Sequence, residues 1–141
     1  MYLEISGRQT GKSTRLINQI YFDKDKYDLQ ILMGMNYNHL KTIKENVKRN
    51  NKLKICCSFD SFKETILGYK NIRLYVDEFL YSTSFCNNFK EFKNLFYNVI
   101  QDGYYVSSIN TNIERYSIFL ELKEINFGLV NSMNVHDKFF V

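Results

Sequence analysis

The sequence predicts a single α/β domain with a mostly parallel central sheet. One observation supports the α/β class and a second supports a single domain. Short apolar runs that suit buried strands alternate along the chain with segments whose apolar residues recur at helical spacing. The 141 residues contain no proline and no stretch rich in glycine and serine that would act as a linker. We therefore expect a single domain over residues 1–141, with functional groups gathered at the carboxyl ends of the strands.

The first half of the chain alternates strand and helix patterns three times. The second of its three helices is basic, with Leu40, Ile43 and Val47 as its apolar stripe. The predicted elements, in order, are a strand Tyr2–Ile5, a helix from Lys12 that ends before Asp23, a strand Leu29–Met33, a helix from about His39 to Arg49, a strand Leu53–Cys57 and a short helix Ser58–Leu67 stopped by Gly68.

The second half continues the alternation, beginning with the most strand-like run of the chain. A longer aromatic helix follows it, because phenylalanines recur there at helical spacing and pack a core face. The predicted elements are a strand Ile72–Val76, a helix from Phe85 to Ile100 closed by Asp102-Gly103, a strand Tyr104–Ile109, a helix Ile113–Lys123, and strands Phe127–Val130 and Lys138–Val141.

The turn between the first strand and the first helix has the composition of a phosphate-binding loop. Gly11, Lys12 and Ser13 match the end of the P-loop pattern, while Ser6 occupies its first glycine position. Small residues let backbone N–H groups wrap a phosphate, and the following helix N-terminus favours the same anion. The alternative is a glycine-rich turn with a capping serine. The predicted nucleotide-binding residues are Ser6, Gly7, Arg8, Gln9, Thr10, Gly11, Lys12, Ser13 and Thr14.

Two carboxylates end the strand Ile72–Val76. In ATP-hydrolysing P-loop proteins the first acid holds Mg²⁺ and the second polarises the attacking water, so Asp77 and Glu78 fit these roles. Lys12 would bridge the β- and γ-phosphates, and the Ser13 hydroxyl would join Asp77 at the metal. The alternative is an exposed acidic turn. The pair favours water as the acceptor of the phosphoryl group.

The strand Tyr104–Ile109 ends in small polar residues. Ser108 and Asn110 are candidates for sensing the γ-phosphate, although alternation on a half-buried strand also accounts for them. Arginine charge stabilises phosphate oxygens in the transition state, and Arg8 and Arg115 are the candidates. Arg73 is predicted to face outward from its strand.

The basic helix is a candidate nucleic-acid contact. Lys41, Lys44 and Lys48 share one face of the predicted helix and could bind phosphates without reading sequence, whereas the alternative is a solvated helix face. The formal net charge of +4 permits a polyanionic partner without requiring one.

Composition sets the compartment that we expect. The 3 cysteines provide neither a disulfide framework nor zinc-site spacing. No apolar run approaches the roughly 20 residues that a membrane-spanning helix needs. We therefore expect a cytoplasmic protein without a membrane partner.

The segment Gly7–Thr14, with Arg-Gln inside the loop, resembles the deviant phosphate loops of viral genome-packaging ATPases, including terminase large subunits. Val76-Asp77-Glu78-Phe79 is similar to the acidic motif of that family, and Ser107-Ser108 falls where its coupling motif follows the next strand. The resemblance implies a three-layer P-loop NTPase fold of the RecA-like type, in which an additional strand joins the sheet. It also implies that Arg8 acts in hydrolysis.

These observations predict an ATPase that binds Mg²⁺ and ATP and acts on nucleic acid, with double-stranded DNA favoured by the resemblance. Such motors usually form homo-oligomeric rings, because a neighbour supplies charge to each site. A nucleotide or nucleoside kinase is an alternative, although no arginine-rich lid segment is apparent. A nucleotide-binding regulatory protein that does not hydrolyse ATP is the other alternative. A viral protein of this kind would act in the host cytoplasm.

Overall fold

The structure, a computed structural model, describes residues 1–7, 11–96 and 99–129, with the backbone alone described at residues 101 and 126–129. Strands and helices alternate along the chain as the apolar pattern predicts. The elements are β1 Tyr2–Ile5, α1 Lys12–Phe22, β2 Leu29–Met33, α2 Tyr37–Asn46, β3 Leu53–Ile55, α3 Phe59–Ile66, β4 Ile72–Asp77, α4 Thr83–Asn87, α5 Phe89–Leu95, β5 Ile100–Ser107 and α6 Ile113–Leu129.

The five strands form one all-parallel sheet in the order β1-β5-β4-β2-β3. The order inserts β5 between β1 and β4, so the strand before the glycine turn lies two strands from the strand that ends in carboxylates. The register aligns Ile5 with Ser107 and Asp77 with Val106. The carboxyl ends of β1, β5 and β4 therefore meet at one edge of the sheet.

Helices cover both faces of the sheet. One apolar cluster joins α1 and α2 to one face, and a larger, phenylalanine-rich cluster joins the remaining helices to the other. Phe62, Phe85, Phe92 and Phe119 of the second cluster have no exposed surface. An all-parallel sheet with helices on both faces confirms the predicted α/β class with a parallel sheet. None of the helices described here has the length and apolarity needed to cross a membrane.

The expectation that Arg73 faces outward is wrong. Arg73 lies in β4, a central strand covered on both sides, and only 7% of the residue is exposed. Its guanidinium pairs with Asp23 and lies 3.4 Å from Asp102. Burial acts against its charge, but Asp102 and Asp23 outweigh that effect, so the pKa of Arg73 is raised. The arginine thus joins a buried polar network at the amino ends of the strands.

The prediction of a single long aromatic helix is also wrong. α4 ends at Asn87 and α5 begins at Phe89, while Ile100 opens β5. Asp102 and Gly103 lie inside that strand and do not close a helix. The predicted phenylalanine face is nevertheless buried, because both short helices present their rings to the same core.

The ends of α2 and α6 differ from the expected ones by three residues or more. The basic helix α2 ends at Asn46, so Lys48 lies just beyond it and not on its face. α6 continues to Leu129 where a strand Phe127–Val130 is predicted, and that prediction is wrong for residues 127–129. Val130 and the predicted strand Lys138–Val141 lie outside the described residues.

Candidate functional site

The turn after β1 leads into α1 through a glycine in the left-handed region. Gly11 has φ 82° and ψ 17° and is the N-cap of α1, a conformation that side chains rarely adopt. The first-turn N–H groups of a helix have no carbonyl partner within it, and α1 has no acid in its first turn. The start of α1 therefore favours an anion. Arg8, Gln9 and Thr10 lie outside the described residues.

Lys12, the first residue of α1, is turned inward. Only 6% of it is exposed, and its Nζ donates a hydrogen bond to the carbonyl of Gly7 at 2.7 Å. The ammonium thus lies against the backbone at the carboxyl end of β1. Ser13 follows on the same turn and is half-buried, whereas Thr14 is exposed.

A buried carboxylate in β1 braces the turn. Glu4 is 1% exposed and accepts hydrogen bonds from Ser6 Oγ at 2.7 Å, Tyr2 Oη at 2.6 Å and the guanidinium of Arg15. Burial acts to raise the pKa of the Glu4 carboxyl, but the hydrogen bonds from Arg15, Tyr2 and Ser6 outweigh it and lower the pKa. Glu4 therefore remains charged and holds the first loop residue, Ser6, against α1.

Glu78 stands at the end of β4 in a strained backbone conformation. Its φ is 51°, which is uncommon outside glycine and costs on the order of 1 kcal/mol or more. The side chain is held on both oxygens: Ser108 donates its backbone N–H to Oε2 and its Oγ–H to Oε1, each at 2.9 Å. Strain that is maintained by specific hydrogen bonds is typical of a functional position.

Three strand ends converge on this carboxylate. The Nζ of Lys12, which follows β1, lies 4.0 Å from Oε1 of Glu78, which follows β4. Ser108 follows β5, the strand between them. A cation, an acid and a hydroxyl that are far apart in the sequence thus meet at one edge of the sheet.

Asp77, the last residue of β4, is also buried and is 2% exposed. Its Oδ2 lies 3.0 Å from Nε2 of His39, the third residue of α2. Burial raises the pKa of Asp77 to about 6, and the charge of Glu78 adds to this effect while His39 and Lys12 oppose it.

The remaining candidates on this edge contact neighbouring loops. Asn110 donates through Nδ2 to the carbonyl of Leu80 at 3.0 Å, and Nη1 of Arg115 donates to the carbonyl of Ser82 at 3.4 Å. Both side chains tie the β5–α6 connection to the segment after β4. These contacts place neither side chain on Glu78.

The predicted lysines lie on an exposed surface. Lys41, Lys44 and Lys48 are exposed and form no ion pair within the part of the chain that the structure describes. The basic surface continues past α2 into a cavity of about 260 Å³ at the amino-end side of the sheet. The cavity is lined by Lys24, Asp25, Arg49, Asn50, Asn51 and Lys52.

Sequence reasoning misses His39 and Gly34. A Cβ on Gly34 would lie 3.0 Å from the carbonyl oxygen of Asp77 and 2.8 Å from Cδ2 of Leu40, so β2 and β4 end in close contact there. His39 follows a strand end, the position where functional groups gather, and that was the available signal. Its partner is 38 positions away, a distance that local periodicity does not bridge.

Comparison with known proteins assigns this chain to no family. No protein-family model matches the sequence, and a search of curated proteins finds no significant similarity. The geometry of Lys12, Asp77, Glu78 and Ser108 is therefore the basis for assigning a function.

Proposed function

We propose that this protein is a P-loop ATPase that hydrolyses Mg²⁺-bound ATP and couples hydrolysis to nucleic acid. The observation that carries the proposal is the 4.0 Å approach of Lys12 Nζ to Glu78 Oε1. The strand order supports it, because β5 separates β1 from β4 as in the additional-strand P-loop fold that the sequence resembles. If Lys12 and Glu78 formed only a structural ion pair, the anion-favouring start of α1 beside them would have no purpose.

The side chains at the edge fit a magnesium ion. Ser13 and Asp77 offer hydroxyl and carboxylate oxygens, the donors that Mg²⁺ prefers. Within the described residues no group of three or more metal-binding side chains occurs, and Mg²⁺ commonly completes its shell with water and substrate phosphates. When bound, the ion would neutralise phosphate charge. A dication would also keep the buried Asp77 carboxylate ionised.

Each catalytic side chain has a distinct part in hydrolysis. Lys12 exchanges its hydrogen bond to the Gly7 carbonyl for the phosphate oxygens of ATP. Glu78 orients a water and accepts its proton on the carboxylate. Ser108 aims that carboxylate through its two hydrogen bonds and so links β5 to the reaction. By resemblance, Arg8 supplies transition-state charge, and assembly as a ring would place a neighbour's arginine at each site.

Nucleic acid is the proposed partner of the lysine surface. Unpaired cations on α2 and beyond it would bind phosphates and release counterions. We favour double-stranded DNA, as in the packaging ATPases that the sequence resembles. Reversing Lys41, Lys44 and Lys48 to glutamate should weaken DNA binding and flatten its salt dependence. Unaltered affinity in that variant would contradict the assignment of this surface.

ATP turnover by the purified protein, with and without DNA, tests the proposal. Lys12→Ala should abolish nucleotide binding, and Glu78→Gln should preserve binding while stopping hydrolysis. Lys70→Ala and Glu64→Gln are matched controls, because both residues are exposed and lie away from the edge. Turnover by Glu78→Gln at the wild-type rate would refute the assignment of the base.

The same assay separates the alternatives. Nucleotide binding without hydrolysis under all conditions would indicate a regulatory protein. Phosphoryl transfer to added nucleoside monophosphates would indicate a kinase. Equal nucleotide binding by wild type and Lys12→Ala would show that the phosphate loop does not bind the nucleotide.

A further inference from the structure

The helix that carries the lysines also touches the buried acid of the proposed ATP site. His39 Nε2 lies 3.0 Å from Asp77 Oδ2, and the imidazole remains 47% exposed while the carboxylate is buried. α2 lies in the connection between β2 and β3, which the phosphate-loop resemblance does not cover. The contact therefore brings a second segment of the chain to the site.

The start of α2 is capped and closely packed beside Asp77. Asn36 caps the helix by accepting the N–H groups of Asn38 at 2.8 Å and of His39 at 3.4 Å. Leu40 is buried and packs over Gly34, whose backbone leaves almost no space against the carbonyl of Asp77. A shift of α2 therefore moves His39 relative to the carboxylate and cannot be absorbed by a loose turn.

The opposite side of the same helix faces solvent, and its lysines form no ion pair with any residue that the structure describes. At about 100° per residue, Lys44 lies roughly 140° and Lys41 roughly 200° around the helix axis from His39. Both lysines are exposed, and the exposed cations Lys48 and Arg49 follow the helix end. A polyanion bound on this side would displace α2 as a unit, and the other side of the helix contacts Asp77.

We propose that His39 is a positioning residue through which α2 couples nucleic-acid binding at its lysine face to the placement of Asp77. The proposal rests on the proposed function, because Asp77 matters only if it serves Mg²⁺-bound nucleotide. Phosphates bound to Lys41 and Lys44 fix the position of α2, and His39 then orients the Asp77 carboxylate toward the metal position. Coupling between two sites through one rigid element must be reciprocal, so nucleotide also changes the affinity for nucleic acid.

The reciprocity provides a test that does not depend on turnover. Fluorescence anisotropy would measure the affinity for a labelled DNA duplex with and without Mg²⁺ and a non-hydrolysable ATP analogue. For wild type we expect the nucleotide to change DNA affinity by about fivefold or more. His39→Ala should bind DNA alone within about twofold of wild type but lose the response to nucleotide.

Two further variants make the test specific. His39→Gln should restore most of the response, because its amide N–H can donate to Asp77 as Nε2 does. Asn46→Ala, an exposed change on the same side of α2 but two turns away, should respond as wild type does. Thermal melts would establish that each variant folds. If His39→Ala does not fold, the nucleotide response of His39→Gln provides the test.

The outcomes separate this inference from the proposed function. A nucleotide response retained in His39→Ala would overturn the role of His39. So would a wild type that binds nucleotide through Lys12 with no effect on DNA affinity, and in both cases the ATPase assignment would stand. A wild type that binds no Mg²⁺-nucleotide would refute the ATPase assignment and this coupling with it.

Discussion

Replacing Asp77 with asparagine should stabilise the nucleotide-free protein at neutral pH. The carboxyl is 2% exposed, and burial raises its pKa from 3.8 to about 6. Above that pH the folded protein holds a costly buried charge that the unfolded chain would hold in water. Asparagine preserves the size of the side chain and an oxygen for His39, without the charge.

The sign and size of the effect follow from linkage. Because the pKa is higher in the folded state, the stability contributed by the neutral carboxyl is complete below 3.8 and is lost as pH rises through about 6. At about 1.36 kcal/mol per pH unit, the gap between 3.8 and about 6 corresponds to on the order of 3 kcal/mol at pH 7.5, and roughly half of that at pH 5. For a domain of this size, Tm should rise by roughly 6–12 °C.

Urea unfolding of wild type and Asp77→Asn at pH 4, 5 and 7.5, with a chelator present, measures this difference. Asp60→Asn is the matched control, because the Asp60 side chain is 90% exposed. Equal stability of Asp77→Asn and wild type at pH 7.5, or a gap that does not shrink toward pH 4, would refute the argument. The same variant should lose Mg²⁺-dependent nucleotide binding, a gain in stability at the expense of function.

Three further substitutions test other contacts. Arg73→Met removes the buried guanidinium that pairs with Asp23 and Asp102, although Lys26 stays near Asp23 and the terminal amine stays near Asp102. The change should lower the free energy of unfolding in urea by up to about 3–5 kcal/mol, so a loss under about 1 kcal/mol would show that the network is dispensable. Gly103→Ala puts a methyl group 2.4 Å from the hydroxyl of the fully buried Tyr105 and should cost about 1–3 kcal/mol, whereas an unchanged Tm would indicate that the ring moves easily. Ser108→Ala removes one of the two hydrogen bonds that aim the proposed base and should lower kcat about tenfold with little change in KM, and an equal fall in nucleotide affinity would contradict that role.

Local pattern predicts most of the fold. Leu29–Met33 has the same bounds in the sequence prediction and in the structure, because a strand buried on both faces leaves a run that is apolar apart from the buried Gln30. The break at Asn88 between α4 and α5 leaves no such trace. Phe85 of α4 and Phe92 of α5 are seven residues apart and keep the helical spacing of apolar residues across the break, because the two helices pack on the same core.

The site is predictable only in part, for a similar reason. Lys12 and Glu78 stand in recognisable sequence contexts, a glycine turn and an acidic strand end. His39 and Arg73 have roles defined by partners far along the chain, His39 by Asp77 and Arg73 by Asp23. An exposed-looking charge on a strand gives no sign of a buried counter-ion until the topology is known.

The pairing of β1 with β5 also bears on the order in which the molecule assembles. Tyr2 pairs with Tyr104 and Ile5 with Ser107, so the earliest strand must wait for the latest of the five, and a loop of about a hundred residues closes between them. Contacts of such long range slow folding and form late. The anion site proposed at Lys12 is consequently absent from a half-formed chain, and a newly made molecule would acquire it only when its folding is nearly finished.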